Sequence, residues 1–194
     1  FQGFATDVAR LALTARPADL EDLLAARLPS GQTVEEARRA LIARIGENIG
    51  VRRFEVVTST APLATYLHGS RIGTVVALEG GDDTLGRDLA MHVAAINPQY
   101  LSVDEVPAEF LAKEREIEMA KAEAEAQGKK PREIIAKMVE GRLRKSLAEL
   151  TLLGQPFVRD PEVTVEKLLQ KSNARVLRYV RYEVGAGIEK KQEN

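Results

Sequence analysis

Hydrophobic positions along this chain change their period several times, and each change marks a structural element. Phe4, Val8, Leu11, Ala12 and Ala15 share one face of a 3.6-residue period that Pro17 interrupts, so a short helix is predicted over 4–15. Asp19 is placed to cap a second helix carrying Leu20, Leu23, Leu24 and Leu28, which Pro29-Ser30-Gly31 ends as a turn. Thr33 and Glu36 have capping-box spacing, so each can satisfy an orphan amide at the start of a third helix. That helix is expected to run through Ala37, Leu41 and Ile45 to about Gly50.

Beyond it the period shortens to two. Residues 51–58, VRRFEVVT, are β-branched and aromatic and too short for a helix, which predicts a strand. A second strand is predicted over 63–68. After Gly69-Ser70, which suits a two-residue type II′ turn, the alternation of Ile72, Thr74, Val76 and Leu78 with Gly73, Val75 and Ala77 predicts the returning strand. Asp83 is expected to cap a helix whose Leu85, Leu89, Val93 and Ile96 share one face, closed by Pro98.

Pro107 suits the start of a further helix that stops at Gly128. Eight of the fifteen residues from Lys113 to Gln127 are charged, leaving too thin an apolar stripe for deep burial. Pro131 restarts a helix with Ile135, Val139, Leu143 and Leu147 at i, i+4 spacing, and the short Gly128-Lys129-Lys130 connection forces the two helices antiparallel. A projecting arm of roughly 30 Å follows from about 1.5 Å per residue. Residues 151–161 read as an apolar loop with two prolines, Thr164 as the cap of a short helix, and 174–184 as a long strand.

Arg53-Phe54-Glu55-Val56 and Arg181-Tyr182-Glu183-Val184 are near copies, each on a predicted strand that follows helices. The predicted fold class is therefore α+β: two β(2)-α(n)-β subdomains with three-stranded antiparallel sheets, the first lacking its hairpin, and an inserted antiparallel coiled-coil hairpin. The expected boundaries are 1–60 for the first subdomain, 61–187 for the second with its arm at about 107–150, and 188–194 for a charged tail. The missing strands are expected upstream of Phe1, in keeping with the absent initiator methionine.

Composition removes several chemistries. The sequence contains no cysteine, so disulfides, thiolate metal sites and a thiol nucleophile are excluded. Any histidine-dependent site must use His68 or His92. His92 lies beside an apolar helical stripe and reads as a hydrogen-bonded, semi-buried residue; His68 sits at an exposed hairpin tip. Glu123 and Glu125 fall on different helix faces and cannot act as a pair. No phosphate-binding, dinucleotide-binding, zinc-hydrolase or nucleophile-elbow motif occurs, and no apolar run nears the roughly 18 residues that span a bilayer. With 28 Lys and Arg against 29 Asp and Glu, the mixed charge disfavours nucleic acid as a partner. No cofactor and no metal are expected.

Six blocks carry a family likeness: IGENIGVRR (45–53), YLHGSRIG (66–73), AMHVAAINPQYL (90–101), KMVEGRLRK (137–145), LLGQPFV (152–158) and RYEVGAGIEKK (181–191). Together they closely resemble bacterial elongation factor Ts, in order and over essentially the whole chain. The resemblance implies a cytoplasmic guanine nucleotide exchange factor that binds elongation factor Tu in its GDP form and promotes GDP release, with no covalent catalysis and no nucleotide held directly. It implies contact with the GTPase domain through Ile45 and Gly46 of the IGEN block, and through His68 and Gly69 of a block in which Leu67 replaces the family's glutamine. Phe1-Gln2-Gly3-Phe4 resembles the segment just downstream of the family's Thr-Asp-Phe-Val motif, which places that Mg²⁺-dislodging motif and the N-terminal helical domain outside this sequence. A homodimer and a heterotetramer with the GTPase are both compatible with the resemblance. The alternative function is a module that binds the GTPase without full exchange activity.

Overall fold

The computed structural model describes residues 1–188 of the chain, which divides into two compact units, Phe1–Thr58 and a second beginning at Ser59. All but the first residue of the expected 188–194 tail lies outside the described residues. The fold class is α+β.

The first unit holds α1 (Gln2–Ala15), α2 (Leu20–Ala25) and α3 (Val34–Ile45). Their apolar faces meet in a core of Val8, Ala12, Leu23, Leu28 and Val34. The Asp22 N–H donates to Asp19 Oδ1 at 2.8 Å, the predicted cap of α2. α2 stops at Ala25, earlier than the leucine spacing predicts; Leu28 is buried from a loop in which its N–H donates to the Gln32 carbonyl. The Thr33–Glu36 capping box forms in both directions, at 3.1 and 3.2 Å. α3 ends at Ile45, several residues before the expected Gly50, because Gly46 takes up a left-handed φ of +72° and its N–H closes on the Ile42 carbonyl.

Residues 51–58 correct the predicted closing strand: among the described residues they join no β-ladder. β-branched composition fits a pleated surface, but a strand exists only where a neighbour completes its hydrogen bonds. Val51 and Phe54 instead pack on the helical core, at a spacing of three that a strand would send to opposite faces. The Arg53–Val56 likeness to residues 181–184 therefore does not correspond to two equivalent strands; only the second copy reaches one.

The second unit realises the β(2)-α(n)-β order. It comprises β1 (Leu63–His68), β2 (Ile72–Glu79), α4 (Asp83–Ile96), α5 (Ala108–Ala126), α6 (Arg132–Leu150), β3 (Pro156–Phe157), β4 (Asp160–Thr164), α7 (Val165–Lys171) and β5 (Arg175–Glu183). β1, β2 and β5 form an antiparallel sheet in that order, with Tyr66 opposite Thr74 and Thr74 opposite Arg181. α4 lies across one face, and Val76, Leu78, Leu89, Val93, Leu152, Phe157 and Val176 fill the core. Gly86 permits the close approach, since a Cβ there would stand 2.9 Å from the Ala64 Cβ. Asp82, one residue before the expected Asp83, caps α4 through the Leu85 N–H at 2.8 Å. Ile96, expected on the buried face, is 44% exposed at the last position of the helix.

Polar side chains fasten the sheet to α4. The Thr74 hydroxyl donates to the Ala90 carbonyl at 2.8 Å, and Arg181 Nε and Nη2 both donate to the Ala94 carbonyl at 3.2 Å. Tyr179 donates to the Pro98 carbonyl at 2.9 Å, and burial pushes its phenol up to about 12.

α5 and α6, each of 19 residues, pair as the expected arm of roughly 30 Å. Ile135, Val139, Leu143 and Leu147 are all buried, whereas α5 buries only Ala122 and Ala126. Arg115–Glu140 at 2.9 Å and Arg142–Glu125 at 2.6 Å tie the two helices outside that seam. The segment read as a plain loop after Thr151 contains the small β3–β4 ladder, in which Pro156 opens its strand and Pro161 lies on a two-stranded edge, both positions that tolerate a missing N–H.

Candidate partner interface

Ile45 and Gly46 sit where α3 ends. The Gly46 backbone turns the chain out of the helix, leaving Ile45 46% exposed and Glu47 and Asn48 on the surface. The far side of this loop is held by a residue that sequence spacing did not single out. Arg38 Nη1 donates to the Ile49 carbonyl at 2.8 Å, while Nε and Nη2 grip both oxygens of Glu35 at 2.8 and 2.6 Å. Arg39 adds a contact to Glu35 at 3.1 Å. The Arg38 hydrogen bonds hold the Glu35 carboxyl down at about 2. An i, i+3 pair of charges was legible in the sequence, but nothing there showed that Arg38 also reaches across eleven residues to the loop. A shallow groove of about 540 Å³ in this unit, between residues 16–20 and 52–58, does not include Ile45 or Gly46.

His68 and Gly69 lie at the tip of the β1–β2 hairpin in the second unit. Gly69 takes a φ of +58°, and the Arg71 N–H closes on the His68 carbonyl at 3.3 Å. His68 pairs with Ile72, so three residues rather than the expected two separate the strands. The displaced Arg71 turns its carbonyl to the Val184 N–H at 2.8 Å. His68 Nδ1 lies 3.2 Å from the Tyr66 hydroxyl, with the rings tilted at 35° and their centroids 6.2 Å apart. Beside it Leu67 is 76% exposed, lying over Gly73, where any Cβ would come within 3.3 Å of the leucine methyl. An apolar side chain, an imidazole and a glycine turn thus share one projecting tip.

His92 is fully buried, as a hydrogen-bonded core histidine rather than an exposed group. The pair at the end of α3 and the pair at the hairpin tip belong to different units. Among the described residues no group of three or more His, Asp or Glu side chains is placed to hold a metal ion, and no helix is long and apolar enough to cross a membrane.

The family model described as Elongation factor TS matches residues 1–186. The chain belongs to the elongation factor Ts family. Curated relatives named Elongation factor Ts include that of Legionella pneumophila strain Lens, 52% identical over the whole of this chain and 65% of its own length. Those of Methylococcus capsulatus and Alkalilimnicola ehrlichii are 53% and 54% identical, again over the whole of this chain and over 66% and 65% of their own lengths. The chain thus spans about two thirds of the relatives it matches, and the likeness to elongation factor Ts runs through both units.

Proposed function

We propose that this chain acts in translation as a guanine nucleotide exchange factor, binding elongation factor Tu in its GDP form in the cytoplasm and promoting release of the nucleotide. The observation that supports this most directly is the projecting tip at Leu67-His68-Gly69 in a chain of this family. It presents an exposed leucine and an imidazole on opposite faces of the strand end beside a turned backbone, surface that a partner could bury. Ile45 and Gly46 supply a second contact, on a loop made rigid at both ends by the Gly46 cap and by Arg38.

Such a factor needs no bond-making residue. It acts by binding the nucleotide-free GTPase more tightly than the GDP form, and reciprocity then weakens GDP by the same factor. Rigid contacts matter because a ligand shifts an equilibrium only by its differential affinity for the two states. A loop that adapted equally to both would bind without exchanging.

Stopped-flow release of a fluorescent GDP analogue from elongation factor Tu tests the proposal. Acceleration that rises with the concentration of this protein is expected. A complex that forms while the release rate stays unchanged would replace exchange by the simpler function of a GTPase-binding module, and no complex at all would remove both.

A further inference from the structure

Among the described residues His92 is the one titratable side chain in the buried polar set, and the partner-binding reading makes no use of it. Its ring stacks on Phe157, with centroids 6.0 Å apart and planes at 12°. The Val158 N–H donates to Nδ1 at 3.1 Å, which requires Nδ1 to be the bare nitrogen. Nε2 therefore carries the hydrogen and donates it to Gln155 Oε1 at 3.0 Å. The amide of Gln155 is thereby oriented with its Nε2 donating to the Glu149 carbonyl at 2.9 Å. That carbonyl belongs to the last turn of α6, where the helix cannot satisfy its own acceptors. One chain of hydrogen bonds runs from Val158 through His92 and Gln155 to the base of the arm.

α4 carries a second load. Two residues before His92, the Ala90 carbonyl receives the Thr74 hydroxyl, and Gly86 lies against Ala64 of β1. The hairpin that presents Leu67 and His68 and the arm are thus fastened to neighbouring turns of a single helix. We propose that His92 is a positioning residue: hydrogen-bearing at Nε2, it fixes the arm relative to the hairpin tip through Gln155, and its bare Nδ1 holds the turn between β3 and β4 through the Val158 N–H, a bond that a proton on Nδ1 breaks.

Burial lowers the His92 pKa from 6.5, opposed by the hydrogen bond to Gln155. The charged residues on the packed elements nearest in sequence to its contacts are Asp88 on α4, Arg159, Glu149 on α6 and Glu166 on α7. Asp88 and Arg159 pair with each other at 2.9 Å, and Glu149 meets this network through its carbonyl. An unfolded chain takes up the proton near pH 6.5, the folded one only below its lowered value. The hold on Val158 is therefore complete above about pH 6.5 and lost as pH falls through the folded value, whereas the Nε2–H bond to Gln155 survives the added proton.

Two measurements on the whole protein test this: amide exchange at Val158 relative to Val76, and the distance distribution between spin labels at Ser70→Cys and Gln127→Cys in a chain with no native cysteine. In the wild type, acidification should lower the protection of Val158 relative to that of Val76 and leave the distance distribution unchanged, since Nε2–H stays on Gln155. His92→Phe keeps an aromatic stack but removes both hydrogen bonds, and should raise Val158 exchange about 10- to 100-fold at neutral pH and abolish the pH dependence. Gln155→Met should broaden the distribution while Val158 stays protected. If His92→Phe does not fold, the wild-type titration and Gln155→Met still decide. Equal distributions in wild type and Gln155→Met, a ring nitrogen spectrum with the hydrogen on Nδ1, or Val158 and Val76 accelerating together would overturn the proposal. None of these readouts involves a GTPase, so their failure is distinct from failure of the exchange function.

Discussion

Leu67→Ala separates binding from folding more cleanly than any other substitution at the proposed interface. Complete burial of a leucine side chain contributes roughly 1.5–3 kcal/mol. About three quarters of Leu67 is still open to a partner, since it is 76% exposed, and alanine keeps part of that surface. Truncation should then cost about 1–1.5 kcal/mol of binding, which is roughly a 5- to 10-fold weaker complex. The folded chain should scarcely notice, because the side chain lies largely exposed over Gly73 and surface substitutions of this kind stay within about 0.5 kcal/mol. Titration calorimetry with elongation factor Tu, alongside a thermal melt of the isolated variant, gives both numbers. An unchanged affinity with an unchanged melt would refute the claim that this tip is buried against the partner. A weaker complex accompanied by a lowered melting temperature would show that Leu67 acts through the fold.

The loop after α3 yields two further expectations. Gly46→Ala places a side chain at φ +72° with open space around it, so the cost is conformational, about 1 kcal/mol, and a denaturant midpoint should record it with Gly46→Asn falling in between. Glu35, held at about 2 against 4.5 when unperturbed, stabilises the fold fully above pH 4.5 and loses that contribution as pH falls towards 2; Glu35→Gln should flatten this acid limb in melts taken across the window.

The elements that sequence periodicity located are those whose hydrogen bonds close within a short stretch of chain. The Thr33–Glu36 box, the Asp19 cap, the β1–β2 hairpin and the Ile135–Leu147 stripe all complete themselves locally. Residues 51–58 could not be settled that way, because a strand is a statement about a neighbour, and Val51 and Phe54 found the helical core instead. The end of α3 falls earlier than expected because Gly46 and Gly50 both suit a helix stop and only the fold shows that Gly46 takes it, with Arg38 fastening the Ile49 carbonyl outside the helix. At the proposed interface, the exposure of His68 followed from its place at a turn. The support given by Arg38, and the route from His92 to the arm, join residues far apart in sequence and became visible only with the fold.

Exchange by differential binding turns on which state of the GTPase this protein prefers. Measuring its affinity for nucleotide-free and for GDP-loaded elongation factor Tu under one set of conditions tests that directly. The emptied form should bind more tightly by a factor on the order of 5 to 150, matched by an equal weakening of GDP in the complex. Equal affinity for the two forms would contradict it.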